Sequence, residues 1–154
     1  METVITNSDE ETQRLGEEFA KKLKPKDVVF LIGDLGSGKT TFTKGVARGL
    51  GIETRIISPT FVIMRMHEVK SQNSKVKNIK QYSKILTLYH LDLYRLKSEK
   101  QTADIGLVDI LSDRTGIVVI EWPEISQNLV SKKVWKVRFG NLDRDQREIS
   151  FKYE

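Results

Sequence analysis

Val28-Val29-Phe30-Leu31-Ile32 is an unbroken apolar run that leads straight into Gly33-Asp34-Leu35-Gly36-Ser37-Gly38-Lys39-Thr40. Apolar residues in such close succession are the pattern of a strand covered on both faces. The stretch that follows fits G-x-x-x-x-G-K-[ST] at every fixed position. Residues from about Lys39 to Leu50 then read as a helix that Gly51 can terminate. A buried strand, a glycine loop and a helix, in that order, predict an α/β protein whose sheet is partly parallel.

Each fixed position has a physical duty. Glycines allow backbone angles closed to other residues and let several N–H groups face an anion at close range. The start of the following helix adds its partial positive charge at the same place. Lys39 would reach the β- and γ-phosphates of a nucleoside triphosphate, and the Thr40 hydroxyl would ligate Mg²⁺. At ordinary residue frequencies, a chance match in a chain of 154 residues is roughly one in 200. The placement between a buried strand and a helix sharpens the signal further. The expected ligand is a nucleoside triphosphate.

The rest of the chain supplies the other layers. Ser8 followed by Glu11 reads as a capping box, and Leu15, Phe19 and Leu23 recur at helical spacing. Residues 8–23 are therefore expected to be a helix, closed by the Lys24-Pro25-Lys26-Asp27 turn. Strand-like runs occupy 55–58, 61–66, 85–91, 117–121, 134–139 and 147–153, and residues 99–111 look helical. The tight Gly140-Asn141-Leu142-Asp143 connection points to antiparallel pairing at one edge. The whole of 1–154 is expected to form a single domain, since domains usually run about 100–200 residues.

Composition closes off other chemistry. With no cysteine, the chain has no disulfide framework, thiolate metal site, iron–sulfur cluster or cysteine nucleophile. His67 and His90 alone do not make a histidine-rich metal centre. No apolar run approaches the roughly 20 residues that span a bilayer. The opening METVITNSDEET lacks the basic start and apolar stretch of a signal peptide. A cytoplasmic protein with no membrane partner is expected. The net charge of +5 suits contact with phosphate or an acidic partner, and equally suits plain solubility. The lysine-rich residues 67–84 read either as a solvated loop or as a basic arm that touches RNA phosphates.

A phosphate-loop nucleotide also needs an acid at the end of a neighbouring strand, to hold Mg²⁺ or position the attacking water. Ile117-Val118-Val119-Ile120 runs into Glu121, and the 85–91 run leads into Asp92. Carboxylates at the carboxyl ends of buried strands sit where ligands bind in open α/β sheets. Asp34, inside the loop, either orients water or an Mg²⁺-bound ligand, or faces solvent. Thr60, in Ser58-Pro59-Thr60, either senses the γ-phosphate or serves turn chemistry. His90 reads as a packed histidine rather than a base. The chain has no N-K-x-D motif, and Asp113 to Gly116 precedes a strand instead of following one, so adenine is preferred over guanine.

Four motifs occur together in one order: GDLGSGKTTFTKG at 33–45, SPTF at 58–61, HLDLYRL at 90–96 and IEWPE at 120–124. In these the chain resembles the TsaE (YjeE) family of bacterial tRNA threonylcarbamoyladenosine biosynthesis ATPases. The resemblance runs from SDEETQRLG near the start to QRE near the end. It implies a P-loop NTPase-like mixed sheet of about seven strands flanked by helices, with ATP and Mg²⁺ as ligands. It further implies weak ATP hydrolysis, stimulated by a TsaB–TsaD complex that threonylcarbamoylates adenosine 37 of tRNA. Contact with tRNA would then be indirect or through the basic surface, and the chain a monomer or weak oligomer.

The same resemblance places Gly36, Ser37, Gly38, Lys39, Thr40 and Thr41 on the phosphates. It puts Thr40 and Glu121 at the Mg²⁺ site and Asp92 at the acid important for hydrolysis. Trp122 follows Glu121 as in the family, Asp9 falls near the adenine, and Arg147 matches an arginine near the nucleotide. Lys100, Gln101 and Thr102 depart from the acidic residues the family often carries there. Two other readings share the loop. A small-molecule kinase would also need an acceptor pocket and an arginine-bearing lid, for which Arg95 and Arg147 are the arginines on offer. A nucleotide-gated binding module would bind ATP without needing hydrolysis. All three require the lysine. Lys39→Ala is expected to weaken ATP binding at least tenfold, on the order of 1.4 kcal/mol, in a calorimetric titration. Equal affinity in variant and parent would remove the loop from the site.

Overall fold

The computed structural model describes residues 2–52, 55–57, 59, 62–69, 85 and 87–154. Seven strands form one sheet: β1 (Glu2–Thr6), β2 (Val28–Ile32), β3 (Met64–Glu68), β4 (Thr87–Asp92), β5 (Gly116–Glu121), β6 (Trp135–Asn141) and β7 (Arg147–Tyr153). Their spatial order is β1-β7-β6-β2-β5-β4-β3. The central β6-β2-β5-β4 strands run parallel, and the β1-β7-β6 and β3-β4 pairings are antiparallel. The mixed sheet is as the resemblance implies, with antiparallel pairing at both edges rather than one.

Strand alternation feeds two cores. On one face Val29, Leu31, Leu88, Ile117, Val119, Val137 and Ile149 pack with residues of α1 (Asp9–Ala20) and α2 (Lys39–Gly49). On the other, Val28, Phe30, Leu91, Val118 and Ile120 pack with Leu107 and Ile110 of α4 (Leu107–Ser112), near a 3₁₀ segment at Pro123–Leu129. Every residue of β5 is buried, which is why its sequence is apolar up to the final Glu121. Among the described residues no helix is long and apolar enough to cross a membrane.

The elements form largely where their sequence signals lie. The Ser8 hydroxyl caps α1 by accepting from the Glu11 N–H at 3.1 Å, while the Glu11 carboxylate reaches back to the Asn7 N–H at 2.8 Å. Other boundaries differ, each for a local reason. The Pro59 carbonyl accepts from the Val62 and Ile63 N–H groups, and Ile63 turns at φ 67°, so β3 starts at Met64 instead of 61. The expected helix at 99–111 is split into α3 (Glu99–Asp104) and α4 by Gly106, at φ 73°. Residues 55–57 of the expected strand at 55–58 are not in a strand, and Ser58 lies outside the described residues. β1, which the sequence does not announce, is a short edge strand held on β7 and tied to α1 by a buried Thr6–Thr12 hydroxyl contact of 2.8 Å.

α1 and α2 meet backbone to backbone. A Cβ at Gly45 would lie 2.0 Å from the Gln13 carbonyl oxygen, and one at Gly16 would lie 2.3 Å from the Phe42 carbonyl oxygen. Arg48 adds bonds to Glu17 at 2.7 Å and Gln13 at 2.6 Å on the exposed rim. Because the clashing atoms are main chain, they cannot swing aside. Gly45→Ala is therefore expected to cost about 3 kcal/mol of stability, the upper range for overpacking, read as a lower urea midpoint without ligand. An unchanged midpoint would mean the helices can separate freely.

Candidate functional site

The carboxyl ends of β2, β5 and β4 converge on the start of α2. Leu31 pairs with Glu121 across β2 and β5, and Glu121 pairs with Asp92 across β5 and β4. Alternation continues the row Leu88, His90, Asp92 on one strand and Ile117, Val119, Glu121 on the other. Since Leu88, Ile117 and Val119 belong to the core under α1 and α2, the polar ends of those rows share the side from which α2 starts. Two carboxylates are thereby set beside the glycine loop by register alone.

A cleft of about 260 Å³ opens there. Of the residues singled out above, Asp9, Gly36, Gly38, Lys39, Thr40, Thr41, Asp92, Glu121 and Arg147 line it, and Leu35 and Trp122 complete the wall. Ser37 sits behind the wall, buried, with its hydroxyl unpartnered among the described residues.

Lys39 is the centre of this arrangement, only 4% exposed. Its ammonium donates to the Gly33 and Asp34 carbonyls, each at 2.7 Å, and lies 4.4 Å from the centre of the Trp122 ring. Burial holds the ammonium below its ordinary pKa, and the Glu121, Asp92, Asp34 and Glu124 carboxylates offset that only in part. Asp34, whose role the sequence leaves open, thus serves Lys39 through both its carbonyl and its charge. The Thr40 hydroxyl donates to Glu121 Oε1 at 2.9 Å, and that donation leaves the lone pairs of Oγ1 for a cation.

Among the described residues no group of three or more His, Cys, Asp or Glu side chains could hold a metal unaided. One hydroxyl and one carboxylate suit Mg²⁺ nonetheless, which takes one or two protein oxygens and completes its shell with phosphate oxygens and water. Asp92 is 4% exposed and accepts from the Tyr94 N–H at 3.0 Å, an Asx-type bond that holds the carboxylate at the strand end. At the opposite end of the cleft, Arg147 donates to Asp9 at 2.7 Å and lies across Gly38.

Two participants escape a reading by motif alone. Trp122, noted only as the residue after Glu121, adopts φ 56° and sets its ring against both Lys39 and Tyr94, the latter at 4.9 Å between ring centres. His90 is packed, as expected, but its Nε2 also lies 2.8 Å from Glu121 Oε1. The signal for His90 was the two-residue spacing from Asp92, which places both on one face. Thr60, with Ser58, lies outside the described residues, as do positions 70–84 of the lysine-rich segment.

The family described as "Threonylcarbamoyl adenosine biosynthesis protein TsaE" matches residues 6–149. The chain is 37% identical over 147 residues to the tRNA threonylcarbamoyladenosine biosynthesis protein TsaE of Bacillus subtilis, covering 95% of this chain and 82% of that one. It is 38% identical over 144 residues to the protein of the same name from Rickettsia bellii, covering 93% and 89%. The crystal structure of Bacillus subtilis YdiB is similar at TM-score 0.70 and 30% identity, over 97% of this chain and 83% of that one.

The loop geometry generates a test of its own. Gly38 stands at φ 101°, and a Cβ there would lie 2.8 Å from Arg147 Cδ and Nε. Gly38→Ala is expected to cost about 2 kcal/mol through backbone strain, measured by urea unfolding without ligand. A parental midpoint would show that the loop is not committed to this conformation.

Proposed function

The chain belongs to the family of the threonylcarbamoyl adenosine biosynthesis protein TsaE, and on that footing we propose that it binds ATP with Mg²⁺ and hydrolyses it weakly. In this reading hydrolysis is stimulated by a TsaB–TsaD complex and supports threonylcarbamoylation of adenosine 37 in tRNA. The observation that carries the proposal is the juxtaposition of Lys39 and Thr40 with Asp92 and Glu121, which end adjacent parallel strands in register. The names of the relatives supply the process; the cleft supplies the chemistry.

The residues divide the work by position. The N–H groups of the glycine loop face the phosphates, and the start of α2 adds its partial positive charge. Lys39 exchanges the Gly33 and Asp34 carbonyls for phosphate oxygens, a stronger bond because the acceptor is charged. Thr40 and Glu121 would hold the cation, which would supply positive charge to the phosphates. Trp122 keeps Lys39 covered from water, so its charge acts at low dielectric. Asp92, at the end of the neighbouring strand, is the acid that orients the attacking water. Asp9 and Arg147 border the end of the cleft assigned to the base.

The direct experiment measures ATP hydrolysis with and without the TsaB–TsaD complex. Within it, Asp92→Asn separates binding from chemistry. An acid acting on the water contributes in the transition state, so its loss lowers the rate more than the affinity. Near-parental ATP binding and at least a tenfold fall in partner-stimulated turnover are expected, about 1.4 kcal/mol in the barrier. An unchanged single-turnover rate at saturating ATP would remove Asp92 from the mechanism. Stability and binding lost together would make it a structural carboxylate.

A further inference from the structure

His90 is wholly buried on β4, and its Nε2 lies 2.8 Å from Glu121 Oε1. A carboxylate only accepts, so Nε2 carries the proton and donates. The same Oε1 takes the Thr40 hydroxyl, and neither bond uses Oε2. Nδ1 of the ring is buried without a hydrogen-bond partner among the described residues. An unpaired buried acceptor is a net cost to a fold. A phenyl ring would fill much the same space without that cost. What the imidazole supplies here is therefore the bond to Glu121.

We propose that His90 is a positioning residue for Glu121: its Nε2–H pins Oε1 and so presents the carboxylate to the divalent cation in one orientation. The inference rests on the reading of Thr40 and Glu121 as the Mg²⁺ side of an ATP site. A glutamate side chain has three rotatable bonds. Thr40 alone restrains one oxygen from the α2 side. A second donor from β4 fixes the carboxylate from another direction, as partners behind metal ligands generally do. That donor stands on a strand flanked by two others, where a site is held more tightly than on a loop. His90 and Asp92 also share a face of β4, so the strand that offers Asp92 to the cleft orients Glu121 with the same rigid element.

The test is a calorimetric titration of ATP into the parent, His90→Phe and His90→Gln, each in EDTA and in excess Mg²⁺. Phenylalanine keeps the ring without the donor, and glutamine keeps an N–H at the reach of Nε2. All three should bind ATP alike in EDTA, where the loop and Lys39 act without the cation. His90→Phe should lose about tenfold of the gain that Mg²⁺ gives, and His90→Gln should retain most of it. A parental gain in His90→Phe overturns the proposal, as does a His90→Gln protein no better than His90→Phe. A parent that binds no ATP, or binds it without Mg²⁺ dependence, overturns the reading of the site and the proposal with it. Should His90→Phe fail to fold, long-range ¹H–¹⁵N spectra of the parent decide. The chain has two histidines, so His67→Gln identifies the His90 signal. A proton on Nε2 is expected; one on Nδ1 overturns the proposal.

Discussion

Burying the Lys39 ammonium where three strands and a helix meet obliges the rest of the site to answer its charge. Two carbonyls of its own loop accept hydrogen bonds from it, and the Trp122 ring offers its electron-rich face. Asp92 and Glu121, each almost fully buried, supply the opposite charge. The dependence runs both ways. Paired across adjacent strands, two carboxylates would repel each other in a poorly solvated corner, and the lysine relieves that repulsion. On the ATP reading proposed above, a phosphate chain entering the cleft would compete with these carboxylates for the same ammonium.

The helix that carries the loop is placed with little tolerance. α2 touches α1 through main-chain atoms at Gly16 and Gly45, and Phe42 reaches from α2 into a cluster with Phe19, Phe139 and Phe151. Packing at that density transmits displacement rather than absorbing it. The first turn of α2, with Lys39 and Thr40, therefore inherits its position from a core on the far side of the helix. Stability and the geometry of the glycine loop are fixed by the same contacts.

The strand, loop and helix at 28–50 were legible because each residue there serves a local rule: full burial, tolerated φ, helix start. Asp92 and Glu121 were legible for a related reason, since each is the first acid after an apolar strand. What escaped depended on partners distant in the chain. β1 is a polar five-residue edge that is a strand only because β7 lies beside it. The break at Gly106 needed knowledge of where α3 and α4 pack. Trp122 carries a positive φ, which propensity argues against in a bulky residue, and it is held there between Lys39 and Tyr94. His90 looked like core because it is core; its second task is visible only once β4 and β5 are in register.

The carboxylates that line the cleft are held to different tolerances. Glu121 is buried and bonded from one strand and one helix, by the His90 ring and the Thr40 hydroxyl, so the carboxylate has little freedom. Asp9 is held differently: its side chain is 57% exposed, and only its partner Arg147, at 12%, is packed into the wall. The Asp9 carboxylate can therefore leave at small cost, while Arg147 stays packed across Gly38. Phosphate and cation chemistry needs atoms held to fractions of an ångström. On the ATP reading proposed above, an adenine beside Asp9 would need only a carboxylate that yields, which the exposed partner of that pair offers.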